Sequence, residues 1–345
     1  MRAVILSMKS FLRTPVDKVK VWAGLVRYFL GGDMPSAARQ AVLRLHCKTN
    51  GRFTESMAPL LRRMRPPRPP QPVTGFLGTL TAQQQEKIAA SIRRDGFHVF
   101  ENRLPEGLLD ELTRFATGRP CLVPGFSKSP DERHIFNAAA PLGKKYSIVE
   151  DEIVQSHAMQ QLMADPSFLA VAETYLRTHP VMADVTLWWS AVHPGTAAED
   201  AGQYYHFDFD TPPGWLMFFF YLTDVDGSHG PHMFVRSSHH SGLPAAADLR
   251  ARGYERIEDR EIEAAFGKEN VVEILGRRGT ILAVDTRGFH KGKPLEQGSR
   301  LMAQLIFTFP QFAGAHVARQ PFPPDLHPSL AQAVARTPRL YQKFT

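Results

Sequence analysis

"YYHFDFDTPPGWLMFFFYL", residues Tyr204 to Leu222, places three ionisable side chains directly before an almost purely apolar run. The three are His206, Asp208 and Asp210. A buried strand does not tolerate an unpaired carboxylate, because taking the charge out of water is costly. A solvated loop would have no need of such an apolar neighbour. The stretch therefore predicts a site in which something holds these side chains at the mouth of a buried strand.

The chain around this stretch is rich in strand-forming residues from Met182 onward. Val, Ile, Phe and Trp recur in short runs that are separated by Gly, Asp and Pro turns. The runs cover 182–195, 214–226, 232–240, 270–292 and 300–309. Strands at this spacing are typical of a sandwich or a jelly roll. We therefore expect an α+β protein, mostly β with flanking helices.

The region before these strands is predicted to be largely helical. Thr81 is a suitable cap for one helix, Phe97 to Phe100 reads as a short strand, and Pro105 begins a second helix. Residues Cys121 to Tyr146 carry few regular signals and are predicted to form a long loop. Residues Asp151 to Arg177 return to a helical pattern.

The basic charge of the chain is concentrated at its start. Residues 1–68 hold 14 Lys and Arg against 3 Asp and Glu, whereas the remainder holds 27 against 31. A proline-rich run, "RRMRPPRPPQP", closes this basic part and favours an extended spacer. We predict a basic helical extension at 1–68, a linker at 69–74 and a main domain at 75–345, whose jelly-roll core lies at about 182–310.

The basic extension admits two interpretations. Thr14 to Gly31 is predicted to be a helix, with an apolar face that includes Val19, Trp22, Val26 and Phe29. If the extension is a lid, this face should be buried against the main domain. If it is a docking surface, the basic residues would meet an anionic membrane or an acidic carrier protein. Nucleic acid is disfavoured, because aromatic residues are not interleaved with the basic ones.

Composition bears on the cellular compartment. The chain has two cysteines, Cys47 and Cys121, without a CxxC pair, which suits a reducing compartment. No apolar run approaches the roughly 18–20 residues that span a bilayer. The first residues show no secretory cleavage pattern. We expect a cytoplasmic protein, with peripheral membrane contact as the option that residues 1–68 leave open.

The histidines and carboxylates near the apolar strands have metal-ligand spacing. Residues two apart in a strand share a face, so His206 and Asp208 can converge on one point. His290 ends a second apolar run and offers a third ligand. Two histidines and one carboxylate suit a non-heme Fe(II) oxygenase, which needs open positions on the metal. Zinc in a hydrolase could use the same ligands, and Asp210 could replace Asp208.

Arg300 distinguishes between these options. It follows His290 by ten residues and starts the run "RLMAQLIFTF". The order His-x-Asp, distal His and then Arg resembles the phytanoyl-CoA dioxygenase-like family of Fe(II)/2-oxoglutarate-dependent oxygenases. The stretch "GPHMFVRSSHHSG" also resembles the Gly-Pro-Leu…Pro-Gly-Ser-His turn of that family, and "RRDGFHVFENRLPEGLLDEL" resembles the start of such domains. The resemblance covers about residues 75 to 310.

The resemblance implies a double-stranded β-helix, the cupin-like jelly roll. His206, Asp208 and His290 would bind Fe(II), and Arg300 would anchor the distal carboxylate of 2-oxoglutarate. O2 would be the second cosubstrate. The implied reaction is hydroxylation of an unactivated C–H bond in a small-molecule, lipid-like or carrier-bound substrate, with release of succinate and CO2.

Further residues near the motif are candidates for supporting roles. We predict that Gln203 contacts 2-oxoglutarate or substrate, and that Trp189, Asp210 and Arg236 face the substrate. Two positions depart from the family pattern. Gly292 stands where many members carry Ser or Thr as a cosubstrate contact, and Arg236-Ser237 replaces the Pro-Gly of the turn.

Two rival functions stay open from the sequence. A cupin-type metal-dependent enzyme that does not use 2-oxoglutarate would not need Arg300. A catalytically silent binding module should have lost a ligand, and no ligand is missing. A halogenase of the same family would have Gly or Ala in place of Asp208.

Overall fold

The computed structural model describes residues 14–31, 34–194, 201–208, 214–253, 256–309 and 321–344. The described chain begins with three helices. They are α1 (Thr14–Gly31), α2 (Ser36–Lys48) and α3 (Arg52–Met64). The predicted proline-rich linker at 69–74 lies after α3, and the chain from Arg65 to Pro72 forms neither helix nor strand. The residue just before the linker is tied to the main domain, because the Arg68 guanidinium donates to the Glu173 carboxylate at 3.0 Å.

A hairpin and a helix–strand–helix unit come next. Their bounds are β1 (Val73–Gly75), β2 (Gly78–Leu80), α4 (Ala82–Asp95), β3 (Phe97–Arg103) and α5 (Glu106–Ala116). Thr81 caps α4 as predicted: its hydroxyl accepts from the Gln84 amide, and the Gln84 side chain accepts from the Thr81 amide. Gly96 ends α4 with φ of 91°, a conformation that favours glycine.

The segment predicted as a long loop instead extends the main sheet. It contains β4 (Pro120–Leu122), β5 (His134–Ile135) and β6 (Lys145–Ile148). Three helices then replace the predicted single one, namely α6 (Glu150–Ile153), α7 (His157–Ala164) and α8 (Pro166–Leu176). The chain breaks between α7 and α8 because Asp165 caps α8 by accepting from the Ser167 and Phe168 amides. Pro166 in addition fits only the first turn of a helix.

The strands of the core form two antiparallel sheets. The remaining elements are β7 (Val181–Ala191), β8 (Trp215–Tyr221), β9 (His232–Val235), α9 (Ala247–Ala251), α10 (Asp259–Phe266), β10 (Val271–Ile274), β11 (Thr280–Val284), β12 (His290–Gly292), β13 (Ser299–Thr308) and α11 (Pro328–Arg336). The major sheet has the order β3-β11-β8-β13-β7-β6-β4-β5, and the minor sheet has the order β10-β9-β12.

The two sheets face each other as in a jelly roll, and the fold is the predicted α+β class. An apolar layer joins Phe219 and Tyr221 of β8 and Met302 of β13 to Phe234 and Ile274 of the minor sheet. The Tyr221 hydroxyl crosses between the sheets and donates to the Ile274 carbonyl at 2.8 Å. The space between the sheets is therefore the place to which inward side chains of both converge.

The opposite face of the major sheet is covered by helices. Phe218 and Phe220 alternate with the inward residues of β8 and pack against Phe168 of α8, with ring centroids 4.9 and 5.2 Å apart. Because one face of β8 meets the minor sheet and the other meets helices, the whole strand is buried. This explains its continuous apolar sequence.

Helix α1 packs on α2, and it does so with a different face from the one predicted to be buried in a lid. Val21 and Leu25 are buried, whereas Val19, Trp22 and Val26 are 68%, 51% and 57% exposed. The side chain of Phe29 lies outside the described residues. The physical reason is Gly24: a Cβ there would lie 2.3 Å from Cβ of Ala38 in α2, so the glycine side permits the closest helix approach.

Candidate metal centre

Three side chains from two chain segments converge at one end of the space between the sheets. The ligand atoms of His206, Asp208 and His290 all lie within 4.8 Å of one another. Nε2 of His290 is 3.5 Å from Oδ2 of Asp208, and the two imidazole centroids are 4.3 Å apart. This is the distance range in which three side chains can share one metal ion.

Backbone pairing fixes the ligands against each other. The His206 amide donates to the His290 carbonyl at 3.0 Å, and the His290 amide donates back at 2.9 Å. The Asp208 amide donates to the Thr286 carbonyl at 2.8 Å. Since the side chains at 206 and 208 share one face of an extended segment, this register aims all three ligands at one point.

The orientation of each imidazole follows from a second set of contacts. Nδ1 of His206 lies 2.8 Å from the Tyr204 carbonyl oxygen, and Nδ1 of His290 lies 2.9 Å from the Gly288 carbonyl oxygen. A carbonyl only accepts, so each Nδ1 carries the proton. Nε2 of each ring is therefore the nitrogen left to face a metal, which histidine binds in its neutral form.

Burial sets the protonation tendencies of the centre. Burial raises the pKa of Asp208, and the neighbouring His206 opposes this shift. Burial, and then the charge of His206, lower the pKa of His290 well below its usual range. His290 is thus a neutral imidazole, and a cation bound among the three would favour the charged carboxylate.

Apolar side chains anchor the ligand segments from behind. Phe207 and Phe289, each adjacent in sequence to a ligand, point away from the centre, with ring centroids 5.5 Å apart. His46 of α2 lies against Phe207 at 6.4 Å, and Cys47 belongs to the same buried cluster. The N-terminal helices therefore buttress the metal-ligand segment through residues of α2.

A buried ion pair holds the loop between β11 and β12. Asp285 is fully buried and accepts from the Arg287 guanidinium at 2.9 Å and from the Tyr175 hydroxyl at 2.5 Å. Burial alone would raise the pKa of Asp285, but the Arg287 charge holds it at about 2. The loop supplies the Thr286 carbonyl that fixes Asp208, so this pair positions a ligand indirectly.

Arg300 lies on the inner face of β13, deep between the sheets. It is 6% exposed, and its Nη2 donates to the Ser190 hydroxyl at 3.2 Å. Its Nε and Nη1 have no hydrogen-bond partner within the described ranges. Two buried N–H donors without partners on one charged guanidinium favour an anionic acceptor such as a carboxylate. Burial lowers the pKa of Arg300 to about 10, so the group is charged at neutral pH.

Cross-strand register lines up further side chains with Arg300. Ser190 of β7 pairs with Arg300 on one side and with Lys145 of β6 on the other. Trp188 follows the same inward face, and the Lys145 ammonium lies 5.4 Å from its ring centroid. Ser190 was not among the predicted site residues, although its alternation with Trp188 was visible once the strand was recognised.

Trp189 was predicted from the sequence to face the substrate, but it does not line the space between the sheets. It packs on the helix side, where its ring stacks on Phe136 at 4.7 Å and its Nε1 donates to the Ala116 carbonyl. Strand alternation places its neighbour Trp188 on the inner face instead.

The other predicted substrate residues lie elsewhere. Arg236 is at the surface, paired with Asp95 at 3.0 Å, so it does not face the centre. Asp210 lies outside the described residues. Gln203 is buried and lines a cavity of about 500 Å³ on the outer side of the minor sheet, together with Met233 and Lys291. None of the three ligands lines that cavity, so we place the chemistry between the sheets.

His232 is a further inward residue that the sequence analysis missed. It lies on β9, is 5% exposed, and stacks on His290 with centroids 5.4 Å apart. Its Nε2 has no partner among the residues that the structure describes. Burial is the largest cause that lowers the pKa of His232 well below the usual range, so it is a neutral imidazole.

Comparisons with known proteins found similarity among solved structures. No family model matches the chain, and no curated protein sequence matches it. Similar structures include EctD from S. alaskensis with bound Fe, at 20% identity, 71% of this chain, 83% of that chain and a TM-score of 0.47. Another is the non-heme alpha ketoglutarate dependent epimerase SnoN from nogalamycin biosynthesis. It is 21% identical over 66% of this chain and 83% of that chain, with a TM-score of 0.46. A third is HygX from Streptomyces hygroscopicus with nickel and 2-oxoglutarate bound. It is 13% identical over 64% of this chain and 86% of that chain, with a TM-score of 0.42.

All three TM-scores are below 0.5, so the function proposed for this chain rests on its own residues. Within the described parts of the chain, no helix combines the length and apolarity needed to cross a bilayer.

Proposed function

We propose that the protein is a non-heme Fe(II) and 2-oxoglutarate-dependent oxygenase. One observation carries the proposal: a buried guanidinium with two orphaned donors lies in the same inter-sheet space as the three converging side chains. His206, Asp208 and His290 fit Fe(II), since two imidazole nitrogens and one carboxylate oxygen leave three coordination positions open. Zinc with the same ligands would not explain the orphaned donors of Arg300.

Bound Fe(II) would supply the redox chemistry that couples two oxidations: 2-oxoglutarate and O2 give succinate and CO2, and the second oxygen atom enters a substrate C–H bond. The residues of the chain position the reactants for this chemistry. Arg300 would pair with the distal carboxylate of 2-oxoglutarate through its fork, while Ser190 keeps Nη2 in place. A charged pair in a water-poor space is stronger than one at the surface.

The walls of the space exclude water. Met217, Phe219 and Met302 face it from the major sheet and are each less than 10% exposed. A dry site protects reactive species from side reactions with solvent. The apolar run after the His-x-Asp motif thus has a chemical use as well as a structural one.

The substrate would enter beside Trp188 and Lys145, which lie on the inner face where β7 pairs with β6. An aromatic wall next to a cation suits a small-molecule or carrier-bound substrate with an apolar body and an anionic group. We propose hydroxylation as the reaction, since Asp208 is retained as a ligand.

The proposal is tested by incubating the purified protein with Fe(II), 2-oxoglutarate, O2 and a metabolite extract. Formation of succinate together with a compound heavier by one oxygen atom is expected. If a product forms without consumption of 2-oxoglutarate, the protein is a cupin-type enzyme of another kind. If neither forms and 2-oxoglutarate does not bind, it is a binding module of the same fold.

A further inference from the structure

A histidine outside the metal ligands lies along the path between them and Arg300. His232 pairs with Gly292 across β9 and β12, and both face inward with His290. A Cβ placed on Gly292 would lie 3.7 Å from Nη2 of Arg300. His232 therefore has His290 on one side, where the rings stack, and the neighbourhood of Arg300 on the other.

We propose that His232 is a cosubstrate-positioning residue that hydrogen-bonds a carboxylate of 2-oxoglutarate. This inference rests on the proposed function and deepens it. A dicarboxylate that reaches from the metal ligands to Arg300 must pass the buried edge of His232, where Nε2 lacks a partner. Leaving that nitrogen buried and unpaired in the bound state would cost free energy, and a carboxylate oxygen satisfies it.

The local sequence favours this role over a packing role. Phe234, the next inward residue of β9, is apolar, and His232 otherwise contacts Phe219 at 4.9 Å. An aliphatic side chain would pack against these rings without leaving a polar atom buried. Gly292 offers no side-chain hydroxyl to the cosubstrate, so His232 provides the polar contact from the strand directly opposite.

The test measures 2-oxoglutarate affinity in the Fe(II)-loaded full chain without O2, together with Fe(II) affinity. His232→Leu should weaken 2-oxoglutarate binding by roughly 10- to 100-fold, the range for a hydrogen bond to a charged group, and should leave Fe(II) affinity unchanged. His232→Gln should keep part of the affinity. His232→Leu combined with Gly292→Ser should regain part of it, because a Cβ at 292 meets only ordinary contacts.

Unchanged 2-oxoglutarate affinity in both His232 variants would overturn the inference. If wild-type protein binds Fe(II) but no 2-oxoglutarate, the proposed function itself fails and His232 has no cosubstrate to position. Melting temperatures show whether each variant is folded. If His232→Leu does not fold, His232→Gln carries the test.

A second, independent feature is the apolar stripe on the outer face of α1, formed by Val16, Val19, Trp22, Val26 and Leu30. These side chains are between 51% and 86% exposed. At 3.6 residues per turn they cover roughly a third of the helix circumference, opposite the buried Val21 and Leu25. A stripe of this kind on a water-facing helix requires a partner.

Charge shows what kind of partner fits. Lys18 borders the stripe on one side, and Lys20 and Arg27 border it on the other; all three are exposed. Asp17, the acidic residue of α1, is turned inward and is 3% exposed, with the Arg44 guanidinium donating to it at 2.6 Å. The outer face of α1 therefore combines apolar and positive groups without a negative one.

We propose that the outer face of α1 docks on an anionic lipid surface. The stripe is convex, one helix wide and carries a tryptophan, so it can enter a bilayer interface lengthwise without a shaped groove in the partner. The basic borders would then lie at the level of anionic headgroups.

The test is sedimentation of the full chain with phosphatidylserine-containing and with pure phosphatidylcholine vesicles. Binding should be specific for the anionic vesicles and weaken with salt. Val19→Ser with Val26→Ser, and separately Lys18→Gln with Lys20→Gln, should each reduce it roughly tenfold or more. Leu275→Ser is the control, since Leu275 is also 51% exposed but lies outside α1.

No binding to anionic vesicles, or binding that the Val19/Val26 variant retains in full, would overturn the proposal. Retention of an acidic protein in place of vesicles, lost in the same variant, would also overturn it and assign the stripe to a protein partner.

Discussion

Arg300 and Ser190 lie directly opposite each other on β13 and β7, and the Ser190 hydroxyl accepts from Nη2 of Arg300 at 3.2 Å. This contact uses one N–H of Nη2 and leaves Nε and Nη1 without partners among the described residues. The guanidinium is thus held in place while its other N–H donors stay available for a carboxylate.

Arg300→Lys should weaken 2-oxoglutarate binding, because an ammonium keeps the charge but loses the fork. The expected loss is about 1.5–3 kcal/mol, the size of one hydrogen bond to a charged group. Arg300→Ala should lose more. Isothermal titration with 2-oxoglutarate measures both, and unchanged affinity in Arg300→Ala would remove this residue from the site.

Asp208→Ala should abolish Fe(II) binding and succinate formation while the protein stays folded, because it removes the charged ligand. Glu111→Ala is the matched control, since Glu111 is exposed on α5. Metal content and circular dichroism of the two variants provide the comparison. An Asp208→Ala protein that retains Fe(II) would reject the ligand assignment.

Trp188 and Trp189 should respond differently to the same change, since they lie on opposite faces of β7. Trp189→Ala should lower the free energy of unfolding by about 3–5 kcal/mol, as for other buried large aromatic residues. Trp188→Ala should destabilise less and should mainly alter substrate turnover. Denaturant unfolding and product formation separate the two effects, and equal destabilisation would contradict the assignment of faces.

The buried Asp285–Arg287 pair predicts a stability change at acidic pH. The pKa of Asp285 is held at about 2, against about 4 in an unfolded chain. A lowered carboxyl pKa contributes stability above about pH 4, and this contribution is lost as pH falls toward 2. Asp285→Asn should cost about 3–5 kcal/mol at neutral pH by removing the negative charge that faces Arg287, and should flatten the pH dependence between 4 and 2. Denaturant unfolding across this pH range checks both.

Removal of the N-terminal helices should weaken the metal centre, because His46 packs on Phe207 between two ligands. A chain that begins at Val73 should aggregate or lose Fe(II) affinity, whereas one that begins at Thr14 should retain both solubility and metal. Metal content and light scattering measure this. A soluble Val73 chain with full Fe(II) affinity would show that the helices are an independent attachment.

The sequence was sufficient to predict the α+β class and the strands of the core, because β8 and β13 carry long apolar runs with clear turn signals. The convergence of His206 with Asp208 followed from strand alternation. His290 was predicted as the third ligand from its place at the end of a second apolar run and from the family resemblance, although the strand register that brings it to His206 is not encoded in local patterns. Trp189 was misplaced because adjacent strand residues have opposite faces and composition does not say which face is inward. The face of α1 depended on Gly24, whose close approach to Ala38 is a tertiary property.

The most direct test of the central claim is anaerobic titration of the purified protein with Fe(II) and 2-oxoglutarate, followed by visible absorption. Chelation of Fe(II) by 2-oxoglutarate gives a charge-transfer band that needs no knowledge of the substrate. The account predicts a band that appears only with both components, is absent in Asp208→Ala and needs higher 2-oxoglutarate in Arg300→Lys. Wild-type protein that binds Fe(II) but gives no band at saturating 2-oxoglutarate would contradict it.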